Sequence, residues 1–283
     1  MRRRSPKHLI HIAAASAFVF ATVLPAASAE GPGEDAFESE EVTLRLVTEA
    51  PGADGTLRAA LFVDLSSGWK TYWVDPGEAG VAPSIDLDAS VNVVTATLDL
   101  GFPTPHRFGD QYGTSNGYSE SMAIAITLRQ AKPDAASEIR ASVLLGVCQT
   151  ICIPVRATLV ASPAPAGDER VAAAFAALPS PATDADMITG AILSDDGKQI
   201  EVTARTSVTD EGQAGDLFLA GPKGWSFGKP STVERRKSDL RFTVPVLSRP
   251  RRAATQAALL EGVLTIGGTA VETHAVVLVR PAG

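Results

Sequence analysis

Apolar and polar residues alternate with a period of two along most of the chain. Val42, Leu44 and Leu46 alternate with Thr43, Arg45 and Val47. Leu57, Ala59, Leu61, Val63 and Leu65 form a second run, and Met122, Ile124, Ile126 and Leu128 a cleaner third. Ile139, Ala141, Val143, Leu145 and Val147 make a fourth. Such alternation turns one face of each strand toward a core. Gly, Pro, Asn and Asp clusters separate the runs, and many short strands divided by turns predict an all-β sandwich.

The pattern breaks after Ala161. Residues 162–186 carry Pro163, Pro165, Pro179 and Pro181 around one short helical stretch. Asp168 is placed to cap that helix, and Val171, Phe175 and Leu178 share a face by their spacing. Alternation resumes at Ile200, Val202 and Ala204, at Leu217 and Leu219, and at Leu240, Phe242 and Val244. Val271, Thr273, Ala275, Val277 and Val279 predict a last strand with one continuous inner face. The expected organisation is a β-sandwich domain over 37–161, a Pro/Ala-rich linker with one short helix over 162–186, and a second β-sandwich domain over 187–281.

Residues 1–29 read as a leader rather than as structure. Arg2, Arg3, Arg4 and Lys7 precede a mostly apolar stretch from Leu9 to Leu24, and Ala27-Ser28-Ala29 has the small-x-small form of a signal-peptidase site. The expectation is export to the periplasm by a cleavable signal peptide. Its removal takes four basic residues, leaving 21 Lys and Arg against 32 Asp and Glu and a net charge of −11. That balance argues against nucleic acid or an anionic membrane surface as partner. After cleavage only His106 and His274 remain among histidines, too few for a histidine-rich metal site.

The two cysteines of the chain, Cys148 and Cys152, are separated by Gln149, Thr150 and Ile151. Strands on either side make this a three-residue hairpin, with the cysteines facing each other across the ladder. Opposed residues have Cα atoms ~4.5–5.5 Å apart, inside the range a disulfide accepts. A bond closing so short a loop adds little loop-closure entropy, so a local pair suggests chemistry more than stapling. A non-catalytic binding module with a structural disulfide is the alternative. A hairpin offers no helix dipole, and Arg156 is the nearest base in sequence, so the thiol is expected to be poorly self-activated. Asp110, if near the sulfurs, would raise their pKa by charge repulsion. His106 and Met122 are further candidates, joining the cysteines in copper(I) handling through soft ligands.

At these residues the chain resembles the N-terminal periplasmic domain of the DsbD and ScsB thiol:disulfide interchange proteins. Gly68-Trp-Lys-Thr-Tyr-Trp73 with Asp75-Pro-Gly-Glu-Ala-Gly80 is similar to an early strand and turn of ScsB-like members. Tyr112-Gly-Thr-Ser-Asn-Gly-Tyr118 resembles the segment passing the active site, and Gly146-Val-Cys-Gln-Thr-Ile-Cys-Ile-Pro154 the ScsB-type cysteine hairpin. Gly221-Pro-Lys-Gly-Trp-Ser-Phe227 is similar, more weakly, to the second β half.

The resemblance implies immunoglobulin-like folds and a redox role for Cys148 and Cys152, with no cofactor and no metal. It also implies a cap loop over the sulfurs, falling here on Phe108-Gly-Asp110-Gln111-Tyr112. The DsbD pattern has an aromatic where this chain has Gln111, so Phe108 or Tyr112 is expected to take over the shielding. The implied activity is a disulfide relay with thioredoxin-like periplasmic proteins, in the setting of cytochrome c biogenesis or copper tolerance. Family members usually continue into a membrane domain and a thioredoxin-like domain. This chain stops at Gly283, so a separate membrane electron carrier is expected, with membrane contact only through partners. Trp69, Tyr72 and Trp73 are read as core packing.

Overall fold

The alternating runs become strands, and their register decides which face of each is buried. The computed structural model describes residues 34–110, 113–164, 168–210, 212–250 and 258–279; the expected leader, the side chain of Asp110, and Gln111 and Tyr112 lie outside them. The first β region holds β1 (Ala36–Glu38), β2 (Val42–Thr48), β3 (Thr56–Leu65), β4 (Lys70–Gly77), β5 (Ser84–Asp86), β6 (Val93–Gly101), β7 (His106–Asp110), β8 (Gly113–Tyr118), β9 (Met122–Gln130), β10 (Ile139–Cys148) and β11 (Cys152–Ala161). Helix α1 (Glu169–Ala176) follows. The second region holds β12 (Ser180–Pro181), β13 (Met187–Leu193), β14 (Gln199–Arg205), β15 (Gly215–Ala220), β16 (Ser226–Phe227), β17 (Thr232–Arg236), β18 (Asp239–Ser248), β19 (Ala258–Ile266) and β20 (Thr269–Val279).

In the first region two antiparallel sheets share a core. One has the order β1-β2-β3-β9-β6; the other runs β11-β10-β4-β8-β7 with β5 beside β10. Leu44, Leu61, Ile124 and Ile126 from the first sheet meet Trp73, Val143, Leu145 and Val147 from the second, all buried. Full burial of such side chains contributes ~1.5–3 kcal/mol each before the entropy of ordering them is set against it.

The second region is one hydrogen-bonded sheet rather than two. Its order is β15-β19-β20-β13-β14-β18-β16, with β12 on β20 and β17 on β18. The sheet curls around Ile200, Val202, Leu240, Phe242, Leu260 and Leu264. A Cβ at Gly215 on β15 would stand 3.6 Å from the Phe242 ring on β18, so the two ends of the sheet face each other. Phe218 and Ala220 of β15 and Val263 of β19 instead complete the core of the first region. The Phe218 ring meets Trp73 edge-on at 6.1 Å, which places β15 against the inner face of β4.

Two local readings change. Helix α1 is capped by Asp168, which accepts from Arg170 N at 2.9 Å, and it buries Val171 and Ala174 against Ala60. It therefore lies over the outer face of β3 and β9 and gives that sheet a second covering layer. The last strand does not keep one inner face. Val271 and Thr273 are buried, but beyond Ala275 the buried residues are Val276 and Leu278, and Val277 and Val279 are exposed. Ala275 adopts φ 56° where the pairing with β19 shifts register, and a bulge of this kind moves every later side chain to the other face.

Candidate functional site

The cysteine hairpin occupies the end of β10 and the start of β11. Cys148 and Cys152 are cross-strand partners in a register that runs unbroken from Ile139–Ala161. They are joined by a disulfide, with Cα atoms 4.1 Å apart. The loop is closed by Gln149 N donating to the Ile151 carbonyl at 3.1 Å. Val143, Leu145 and Val147 point inward, so Cys148 two positions beyond Gly146 belongs to the outer face. The two cysteines differ in access: Cys148 is 7% exposed, whereas Cys152 and the neighbouring Ile151 are exposed.

Register also brings Tyr72 to the sulfurs. β4 lies between β10 and β8, with Lys70 opposite Cys148, Thr71 opposite Val147, and Tyr72 opposite Gly117. Gly146 and Gly117 flank Tyr72 on its two neighbouring strands. A Cβ at Gly146 would stand 3.3 Å from the Tyr72 ring, and one at Gly117 only 2.1 Å from the Thr71 carbonyl oxygen. Gly80, at φ 129°, closes over the ring; a Cβ there would lie 2.4 Å from Tyr72 Cε1. Gly146 and Gly80 thus form a slot for the phenol ring, and Gly117 lets the backbone of β4 approach β8 closely. From that slot the Tyr72 hydroxyl donates to Cys148 Sγ at 2.9 Å and lies 3.5 Å from Cys152 Sγ.

The surroundings are partly those expected. Phe108 on β7 packs against Tyr72, ring centroids 5.9 Å apart, so one of the two aromatics named for shielding does stand beside the site. Lys70 Nζ sits 5.0 Å from the Phe108 ring centroid. Strand pairing, rather than sequence proximity, sets Lys70 opposite Cys148. Arg156, the nearest base in sequence, is opposite Leu144 and four residues along β11 from Cys152. Trp73 and the partly buried Trp69 pack in the core cluster, and Tyr72, on the opposite face of β4, is buried beside the sulfurs instead. Met122 packs against the core from β9 in the other sheet, and His106 is exposed on β7. Among the described residues no cluster of three His, Cys, Asp or Glu is placed to hold a metal ion.

Sequence and fold comparisons agree with this geometry. Residues 38–164 match the family model of the thiol:disulfide interchange protein DsbD, N-terminal. Over these residues the chain is similar to that family. No curated protein matches the chain. Among solved structures, the N-terminal periplasmic domain of ScsB from Proteus mirabilis superposes with a TM-score of 0.65 at 24% identity, over 84% of this chain and 95% of that one. The likeness in fold therefore runs past the DsbD N-terminal segment into the second β region. A conserved domain protein from Bacillus anthracis aligns at 10% identity over 83% of this chain and 78% of its own, with a TM-score of 0.22, too low to bear on the fold.

Proposed function

We propose that the chain performs thiol–disulfide exchange in the periplasm, passing electrons between redox proteins through Cys148 and Cys152. The observation that carries the reading is the disulfide of the hairpin, which joins a buried cysteine, its sulfur accepting from the Tyr72 hydroxyl, to an exposed one. In the forward half-reaction a partner thiolate attacks Sγ of the exposed Cys152. A new sulfur–sulfur bond forms, the Cys148–Cys152 bond breaks, and its electron pair leaves on Cys148 as thiolate. The Tyr72 hydroxyl stabilises that developing charge. The partner's second thiolate then attacks its own sulfur in the mixed disulfide and releases Cys152. The pair has gained two electrons and the partner has become a disulfide; protons follow from solvent. The same steps in reverse pass the electrons on.

The partners this chemistry fits are thioredoxin-like proteins, whose low-pKa cysteine supplies the reactivity that this hairpin lacks. In this reading residues 37–161 are an immunoglobulin-like redox domain, 162–186 join it to the next, and 187–281 form a second β domain built on one curled sheet. The family match of residues 38–164 supports it, and the ScsB neighbour, itself a periplasmic domain, supports the compartment.

Single replacements test it. Cys148→Ser leaves the exposed Cys152 without its intramolecular partner, so it should accumulate a mixed disulfide with a thioredoxin-like protein from a periplasmic extract. Cys152→Ser should accumulate far less. Absence of any trapped partner from both variants contradicts the proposal.

A further inference from the structure

The second β region touches the redox sheet from behind, and two strands of that sheet carry the contact through. On β7, Arg107 and Phe108 are consecutive and face opposite sides. Phe108 packs on Tyr72 at the sulfurs. Arg107, its side chain 11% exposed, reaches the other way: Nε donates to Asp216 Oδ2 at 2.8 Å, and Nη2 donates to the Leu217 carbonyl. Its guanidinium carbon stands 4.3 Å from the Phe218 ring centroid. Nη1 donates to Asn116 Oδ1 at 2.8 Å, and Asn116 Nδ2 donates to the Asp75 carbonyl at 3.0 Å. On β4 the arrangement repeats. Tyr72 faces the sulfurs, and the buried Asp75 accepts from Ser226 Oγ at 3.3 Å and from Phe227 N at 3.0 Å in the second region. β7 ends its sheet, paired with β8 alone. What holds its inner face is therefore Arg107 and the second β region.

We propose that Arg107 is a positioning residue through which the second β region holds Phe108 against Tyr72 and thereby limits access of an attacking thiol to the disulfide. The inference deepens the exchange reading by giving the second region a task at that site: a rigid backing for the strand that shields it. A charge held by this many donor contacts in a largely buried setting is costly to disconnect from one side, which makes the tether specific to this side chain.

The test uses the full mature protein and dithiothreitol as probe. The second-order rate constant for reduction of Cys148–Cys152 is measured by gel-shift alkylation, with circular dichroism as the check of folding. Arg107→Met should raise the rate by about three- to tenfold. In a Phe108→Ala background, itself faster, Arg107→Met should add nothing, because the shield through which Arg107 acts is already gone. Asp216→Asn, which alters only the second region's half of the tether, should move the rate in the same direction, and it serves in place of Arg107→Met should that variant not fold. Rates within twofold of the parent for the folded variants overturn the proposal. So does an Arg107→Met acceleration that is just as large without Phe108. Failure of the exchange reading is a different result: no thioredoxin-like partner trapped, while these rates still respond.

Discussion

Tyr72 is where sequence and structure diverge most at the scale of a single residue. The cysteine pair was legible because both halves of its geometry lie within five residues: a three-residue loop between two alternating runs fixes the cross-strand placement. Tyr72 reaches the sulfurs from more than seventy residues away, and which strand lies beside β10 is not written in any local pattern. The available signal was Gly80 and Gly146, two glycines whose common neighbour is one aromatic ring. Tyr72→Phe removes the hydroxyl and keeps the ring. Hydrogen bonds to charged groups are worth ~1.5–3 kcal/mol, so the Cys148 thiolate should lose about tenfold or more in stability relative to its thiol. The measurement is the pH dependence of Cys148 alkylation in the reduced protein, whose midpoint should move up by about one unit or more. An unmoved midpoint would mean that the hydroxyl only packs.

At the scale of elements, the strands of both regions follow the alternation, and the exceptions have local causes. The final strand changes face because Ala275 takes a left-handed conformation that the alternation of Val271 to Val279 does not signal. Glycine accepts that conformation without a Cβ penalty, so Ala275→Gly should raise unfolding stability by ~0.5–1 kcal/mol, and Ala275→Val should lower it by at least as much. Both are read from denaturant unfolding at constant m-value. Helix α1 was expected from its cap and its apolar spacing, but its docking site was not, because Ala60, Phe62 and Ala123 lie on the face of their sheet that a two-layer sandwich leaves to solvent. Asp168→Ala removes the cap and should lower the unfolding midpoint by the same measurement.

The whole molecule depends on the seam where Asp75 sits. Burial pushes its carboxyl up to about 6 from an ordinary value of 3.8, against the opposing pull of hydrogen bonds from Gly77, Phe227 and Ser226. A raised acid pKa means that the folded state holds the proton more tightly than the unfolded one. This group therefore supports the fold fully below about pH 4, and its contribution falls as pH rises through about 6, by on the order of 3 kcal/mol. Asp75→Asn should abolish that decline, seen as a flatter stability profile between pH 4 and 7 than in the parent. Phe218→Ala removes a second-region side chain from the first region's core and should cost ~3–5 kcal/mol. The Pro/Ala-rich break after Ala161 was visible in the sequence; the seam was not, since Phe218, Asp75 and Arg107 become neighbours only when two separately patterned stretches pack. The central claim is that the Cys148–Cys152 bond turns over rather than staples the hairpin, and its equilibrium reduction potential against a dithiol buffer at pH 7 tests it most directly. The account predicts a value between about −300 and −120 mV, the span of exchanging thioredoxin-like proteins, and a value well below about −300 mV, where structural disulfides lie, would contradict it.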